Sequence, residues 1–196
     1  KIKGTIYMPS PTPNQKIEQV KMFGEAYVDV VLIGDTFDDA YHATDLITEV
    51  LGGGASARLY EELIKKRQLF SSIDCYHFGT IDPGLLVIEG KLVKGVSMSV
   101  AEKAVLEEVA YVTNHLLEEK EVQKVINKTE SIICFEDMSI MNRAHSLAFY
   151  ELLGDAQLMN TELEKYQAVT PAIIQATAQA IFTEQNRNTL YYYSKS

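Results

Sequence analysis

The chain has 196 residues, 46% of them hydrophobic and 23% charged, with a net charge of −9. That is the balance of an ordinary globular chain, long enough for one sizeable core or at most two small ones. The acidic excess argues against nucleic acid or an anionic membrane surface as the main partner, because both are bound through basic patches. No apolar run approaches the roughly 20 residues a membrane helix needs, so membrane insertion is not expected.

Lys1–Tyr7 reads as a short strand, cut off at its front, and a chain that opens on Lys1 is expected to be a fragment or a processed product. Pro9, Pro11 and Pro13 follow, so residues 8–16 form an extended connector with few backbone donors. Ile17–Phe23 is a candidate strand. Tyr27–Ile33 (YVDVVLI) is a clearer one, β-branched and nearly continuous in apolar character, closed by Gly34 and Asp35. Asp38–Leu51 carries Ala40, Ala43, Ile47, Val50 and Leu51 at helical spacing.

The stretch Leu51–Ser72 (LGGGASARLYEELIKKRQLFSS) organises what surrounds it. A helix end runs into Gly52, Gly53 and Gly54, which supply the backbone freedom for a tight stop. Ser56 is placed to cap a second helix, whose apolar face is Leu59, Tyr60, Leu63 and Ile64. A phosphate loop would need Lys-Ser/Thr after the last glycine, where Ala55 and Ser56 stand. A dinucleotide fingerprint would need its glycines after a strand, and these follow a helix. The triplet is therefore read as a turn that packs two helices closely.

Leu69–Thr80 and Leu85–Val93 read as a hairpin around Asp82-Pro83-Gly84. Val105, Val109, Val112 and Leu116 mark one helix. After a break near His115–Glu119, a second follows with Val122, Val125, Ile126 and Thr129 on its face. Asp137–Leu153 is a further helix stopped by Gly154, and Thr170-Pro171 opens the last, with a hydroxyl cap and proline in its first turn. Thr189–Tyr193 reads as a closing strand. Hairpin strands beside helices indicate an α+β fold, with a largely antiparallel or mixed sheet and helices on one face, as a single domain over residues 1–196.

A local search for chemistry finds no complete site. His42, His77, His115 and His145 lack a second histidine at metal-ligand spacing, and His115-Leu-Leu-Glu-Glu119 ends where a zinc helix needs histidine. Cys75 and His77 share a strand face, which suits a packed pair better than a catalytic one. Ser71 and Ser72 have no nucleophile elbow. Glu118, Glu119 and Glu121 read as a solvated acidic cluster. Asn127-Lys-Thr sits inside a helix, Tyr191–Tyr193 has no basic groove beside it, and Cys75 and Cys134 read as two buried free thiols.

The glycine stretch resembles the insulinase-like (pitrilysin) zinc metallopeptidases. Their pattern is Gly-Gly-Gly-x-Ser-Ser-Arg-Leu, followed by a helix ending in Arg-Glu-Lys-x-Gly-Leu-Ala-Tyr-Ser. This chain has Gly52, Gly53, Gly54, Ala55, Ser56, Ala57, Arg58 and Leu59, then Ile64, Lys65, Lys66, Arg67, Gln68, Leu69, Phe70, Ser71 and Ser72. Pro11, Pro13 and Gln15 in the connector and the Thr170-Pro171 helix start are similar in order as well.

The resemblance implies the domain that does not hold the metal, since the HxxEH zinc motif is absent from this sequence. It implies one wall of a peptide-binding chamber, with a zinc-bearing homologous domain as partner, on the same chain or another subunit, and zinc only there. Peptide substrate then lies between the two, and a bacterial periplasm or cytoplasm would suit. Active members present an arginine and, seven residues on, a tyrosine to the substrate backbone and oxyanion. Those positions are Ile64 and Ser71 here, with Arg67 and Tyr76 nearby in another register. Two readings follow: an active zinc endopeptidase whose chamber this domain shapes, or an inactive scaffold subunit of a peptidase-like pair.

Overall fold

The structure is a computed structural model that describes residues 4–8, 28–32, 37–79 and 84–193, with side chains from Tyr41 onward. The proline connector, the Ile17–Phe23 expectation and most of the Asp82-Pro83-Gly84 turn lie outside the described residues.

Strands β1 (Gly4–Met8) and β2 (Val28–Leu32) pair in parallel, Gly4 opposite Val28 and Met8 opposite Leu32. Helix α1 (Phe37–Gly52) follows, then the short π-helix α2 (Tyr60–Lys66). Strands β3 (Phe70–Phe78) and β4 (Leu85–Leu92) form the expected antiparallel hairpin. The described strands make two separate pairs, β1–β2 and β3–β4, where the sequence suggested one sheet.

The remainder is helical. Helices α3 (Met98–Asn114) and α4 (Glu119–Glu136) are separated at the anticipated break, and α5 (Ile140–Leu153), α6 (Glu162–Gln167) and α7 (Pro171–Ile181) follow. Their ends obey local chemistry. Ser97 accepts from Val100 N, Ser139 from Asn142 N and Thr170 from Ile173 N, while Gly154 closes α5 at φ 115°. Ser139 explains why α5 starts three residues later than Asp137, which instead ends α4. Leu116 is exposed beyond the end of α3, and Leu117 takes the buried place in the connection.

Helix α1 is the hub, packed by β3, α4, α6 and α7. Leu46, Ile47 and Leu51 of α1 meet Leu59, Leu63, Val112 and Ile174 in the core, all essentially without solvent exposure. Burying each such side chain is worth about 1.5–3 kcal/mol.

The expected closing strand is corrected: Thr189–Tyr193 forms no ladder. The Thr189 and Tyr191 hydroxyls instead donate to the two oxygens of Glu102 on α3, at 2.8 and 2.6 Å. That fastening binds the segment to a helix by side chains and leaves its backbone out of any sheet.

The two cysteines also divide. Cys75 is buried and its thiol is pushed up to about 12, mainly by burial, whereas Cys134 is exposed, against expectation. Burial disfavours the thiolate, which fits a packed thiol better than a nucleophile paired with His77. Under native conditions a thiol reagent such as DTNB is expected to label about one cysteine per chain, and none in Cys134→Ser. Rapid labelling of a second thiol in the native chain would contradict the buried placement of Cys75.

Candidate functional site

The Leu51–Ser72 stretch folds as a joint between α1 and β3. Its glycines serve different ends. A Cβ on Gly52 would stand 2.3 Å from the backbone nitrogen of Cys75, so the bare Cα lets the last turn of α1 lie against β3. The close approach is helix to strand, where the sequence suggested helix to helix. Gly54 holds φ +106° and reverses the chain, and its carbonyl accepts from Ala57 N at 3.0 Å. Ser56 does not cap α2. The helical residues begin at Arg58, and no side chain caps α2 at its start.

Helix α4 clamps this turn. Glu121, Lys124 and Lys128 sit at i, i+3 and i+7, one face of a helix. Lys124 donates to the Ser56 carbonyl at 2.9 Å, and Lys128 donates to the Gly53 carbonyl at 2.6 Å while pairing with Glu49. Glu121 accepts from the Arg58 guanidinium at 2.9 Å, and a second guanidinium nitrogen lies at 2.9 Å but off the hydrogen-bonding angle. Arg58 also lies over the Tyr111 ring, 4.0 Å from its centre, and His115 stacks on Tyr111. Burial disfavours the charged guanidinium, but the Glu121 hydrogen bond and charge outweigh it and raise its pKa. Glu121 therefore leaves the solvated acidic cluster to which the sequence assigned it. The i, i+3, i+7 spacing was the available signal for this clamp, and only the fold shows what it faces.

At the far end of the joint, Gln68 has φ 52°, the one non-glycine residue with positive φ among those described. This left-handed corner lets Leu69 N reach back to Leu63 O at 2.8 Å and sends the chain into β3. Ile64 packs against the core. Ser71 is exposed at a register shift in the hairpin, and its hydroxyl donates to the Lys91 carbonyl at 3.1 Å. Arg67 pairs with Glu107 at 2.7 Å, and the Tyr76 hydroxyl donates to Glu89 at 3.2 Å.

A second polar group lies on the other side of α1. His42, almost fully buried, is 2.8 Å from Glu162, and the Tyr166 hydroxyl donates to Asp45 at 3.0 Å. Burial pushes the Asp45 carboxyl up against the lowering by Tyr166, and it pushes the Tyr166 phenol up strongly. For Glu162, burial is outweighed by hydrogen bonds from His42 and Tyr150, so its carboxyl falls below the usual range. Both pairs tie α1 to the α6 region and are occupied with each other. Among the described residues no group of three histidine, cysteine or acidic side chains is arranged to hold a metal ion.

Comparison with known proteins gives two different likenesses. The family described as "Peptidase M16 inactive domain" matches residues 4–129, well over half of the chain. Among solved structures, a protease from Helicobacter pylori superposes with a TM-score of 0.68 at 18% identity, over 76% of this chain and 36% of that one. The inactive peptidase domain of a Bordetella parapertussis protein superposes with a TM-score of 0.65 at 20% identity, over 76% and 81%. At these identities the structural likeness concerns the fold.

The curated relatives are of another kind. A biosynthetic L-threonine dehydratase of Halalkalibacterium halodurans is 58% identical over 41 residues, and that of Bacillus subtilis is 58% identical over 40. These stretches are 21% and 20% of this chain, which spans only about a tenth of the length of either enzyme.

Replacing Gln68 by glycine relieves the left-handed strain and is expected to stabilise the domain by about 1 kcal/mol, a rise of about 2–4 °C in Tm. A lower Tm for Gln68→Gly would show that the corner is not strained. With its family model matching residues 4–129, the chain belongs to the peptidase M16 inactive-domain family, the insulinase-like kind.

Proposed function

We propose that this domain forms one wall of a peptide-binding chamber, facing a zinc-bearing homologous domain that carries the chemistry. The observation that carries this reading is the backbone at Gln68. The family pattern places glycine there, and a positive φ is the conformation that glycine serves. That register puts Ile64 at the arginine position and Ser71 at the tyrosine position.

Neither residue can stabilise an oxyanion across a domain gap. Ile64 has no donor and is packed against the core, while the short Ser71 side chain is committed to the Lys91 carbonyl. Arg67 and Tyr76 have the right groups, but each is engaged by an acidic neighbour, Glu107 and Glu89 respectively. The domain therefore shapes and lines the chamber without reaching into the reaction. The same substitutions favour the second reading over an active parent: an inactive scaffold subunit whose partner is a peptidase-like chain. The two readings share this domain's role and differ only in whether zinc chemistry survives opposite it.

The test restores the pair. In the full assembly with a zinc-bearing partner, Ile64→Arg with Ser71→Tyr is expected to raise kcat/KM for an unstructured peptide by at least roughly tenfold, about 1.4 kcal/mol of transition-state stabilisation. An unchanged rate in a folded double variant, with zinc bound in the partner, would contradict the role given to these two positions.

A further inference from the structure

The first two strands do not belong, by topology, with the layer that follows. Strands β1 and β2 run parallel, in continuous register from Gly4–Val28 to Met8–Leu32. A parallel pair cannot be closed by a hairpin turn, as the β3–β4 pair can. Strand–crossover–strand is the building block of α/β folds, whereas the hairpin and the helices beside it are an α+β layer. The two pairs share no ladder.

The ends of the chain are also held differently. At the C-terminal end, α7 packs on α1 and α3, and α6 packs on α1 and α4. At the N-terminal end, the main contact of β1 outside its own pair is with the 3-10 turn at Glu184–Asn186.

The two likenesses divide the chain in the same proportions. The peptidase-type structures cover 71–80% of it, and the dehydratases match 19–24%. The share one leaves is close to the share the other takes. The family match begins at Gly4 and so runs across the strand pair, but the parallel register does not follow from it.

We infer that this chain is composite. The dehydratase-like part is the stretch up to about Tyr41, whose parallel pair β1–β2 folds separately and is joined through α1 to the peptidase-type body. The likeness concerns only about a tenth of those enzymes' length, so no dehydratase chemistry is assigned to this stretch. The junction inside α1 accounts for two features of the body. Among the described residues the β3–β4 hairpin has no third strand, though two strands are marginal by themselves. An apolar groove of about 730 Å³ runs between the inner face of β4 and α3, edged by the unpaired segment at Tyr191. That groove is where a further strand of the body would complete the layer. This inference is independent of the chamber reading: either can fail while the other stands.

Hydrogen exchange on the full chain tests it. Leu63 is fully buried in the body, so Leu63→Ala is expected to speed exchange of the β3, β4 and α3 amides by at least roughly tenfold. The amides of Gly4–Met8 and Val28–Leu32 should change by less than about threefold, whatever their own protection. Acceleration of those two strands by the same factor as β3 would overturn the inference. If Leu63→Ala does not fold, the wild-type chain in rising urea decides it. Separate unfolding isotherms for the β1–β2 and β3–β4 amides support two units, and a single shared isotherm overturns them.

Discussion

The contact between Gly52 and the backbone of Cys75 is the constraint on which the body of this protein depends. With no Cβ at Gly52, the last turn of α1 lies directly against β3, where a Cβ would stand only 2.3 Å from the Cys75 backbone nitrogen. Everything else in the core is arranged around α1: the hairpin below it, α7 and α4 beside it, α6 at its polar face. The clamp from α4 holds the turn beyond the end of α1, by supplying Lys124 and Lys128 to the turn carbonyls of Ser56 and Gly53. Arg58 completes the clamp from the opposite side through Glu121.

On the proposed reading, that division of labour lets the domain keep its architecture without the arginine and tyrosine of active members. The residues that hold the joint, Gly52, Gly54 and Arg58, act on backbone approach and on a charged clamp, neither of which concerns a substrate. The positions that the proposal aligns with the arginine and tyrosine, Ile64 and Ser71, lie at the other end, Ile64 against the core and Ser71 on the Lys91 carbonyl. Gln68 between them shows the fold enforcing its geometry on a residue ill-suited to it.

Much of this was legible in sequence because it is local. The hairpin, the α3–α4 break, the Thr170 cap and the Gly154 stop are each dictated by a few neighbouring residues, and each appears where expected. What was not legible is non-local. The partner of Gly52 is twenty-odd positions away on a strand, the clamp of Arg58 comes from α4, and Glu121 reads as solvated until the fold brings a guanidinium to it. The closing strand failed for the same reason: Thr189–Tyr193 has strand composition, but a strand needs an edge to join, and Glu102 captures its hydroxyls instead. The parallel register of β1 and β2 is a further case, since their composition says strand and nothing in it says which way the partner runs.

The central claim is that this chain is a wall and not a catalyst. Metal analysis of the purified chain, dialysed against buffer with free zinc and then passed through a desalting column, tests it most directly. The account predicts well below about 0.1 zinc per chain and no hydrolysis of an unstructured peptide. About one tightly held zinc per chain would contradict it.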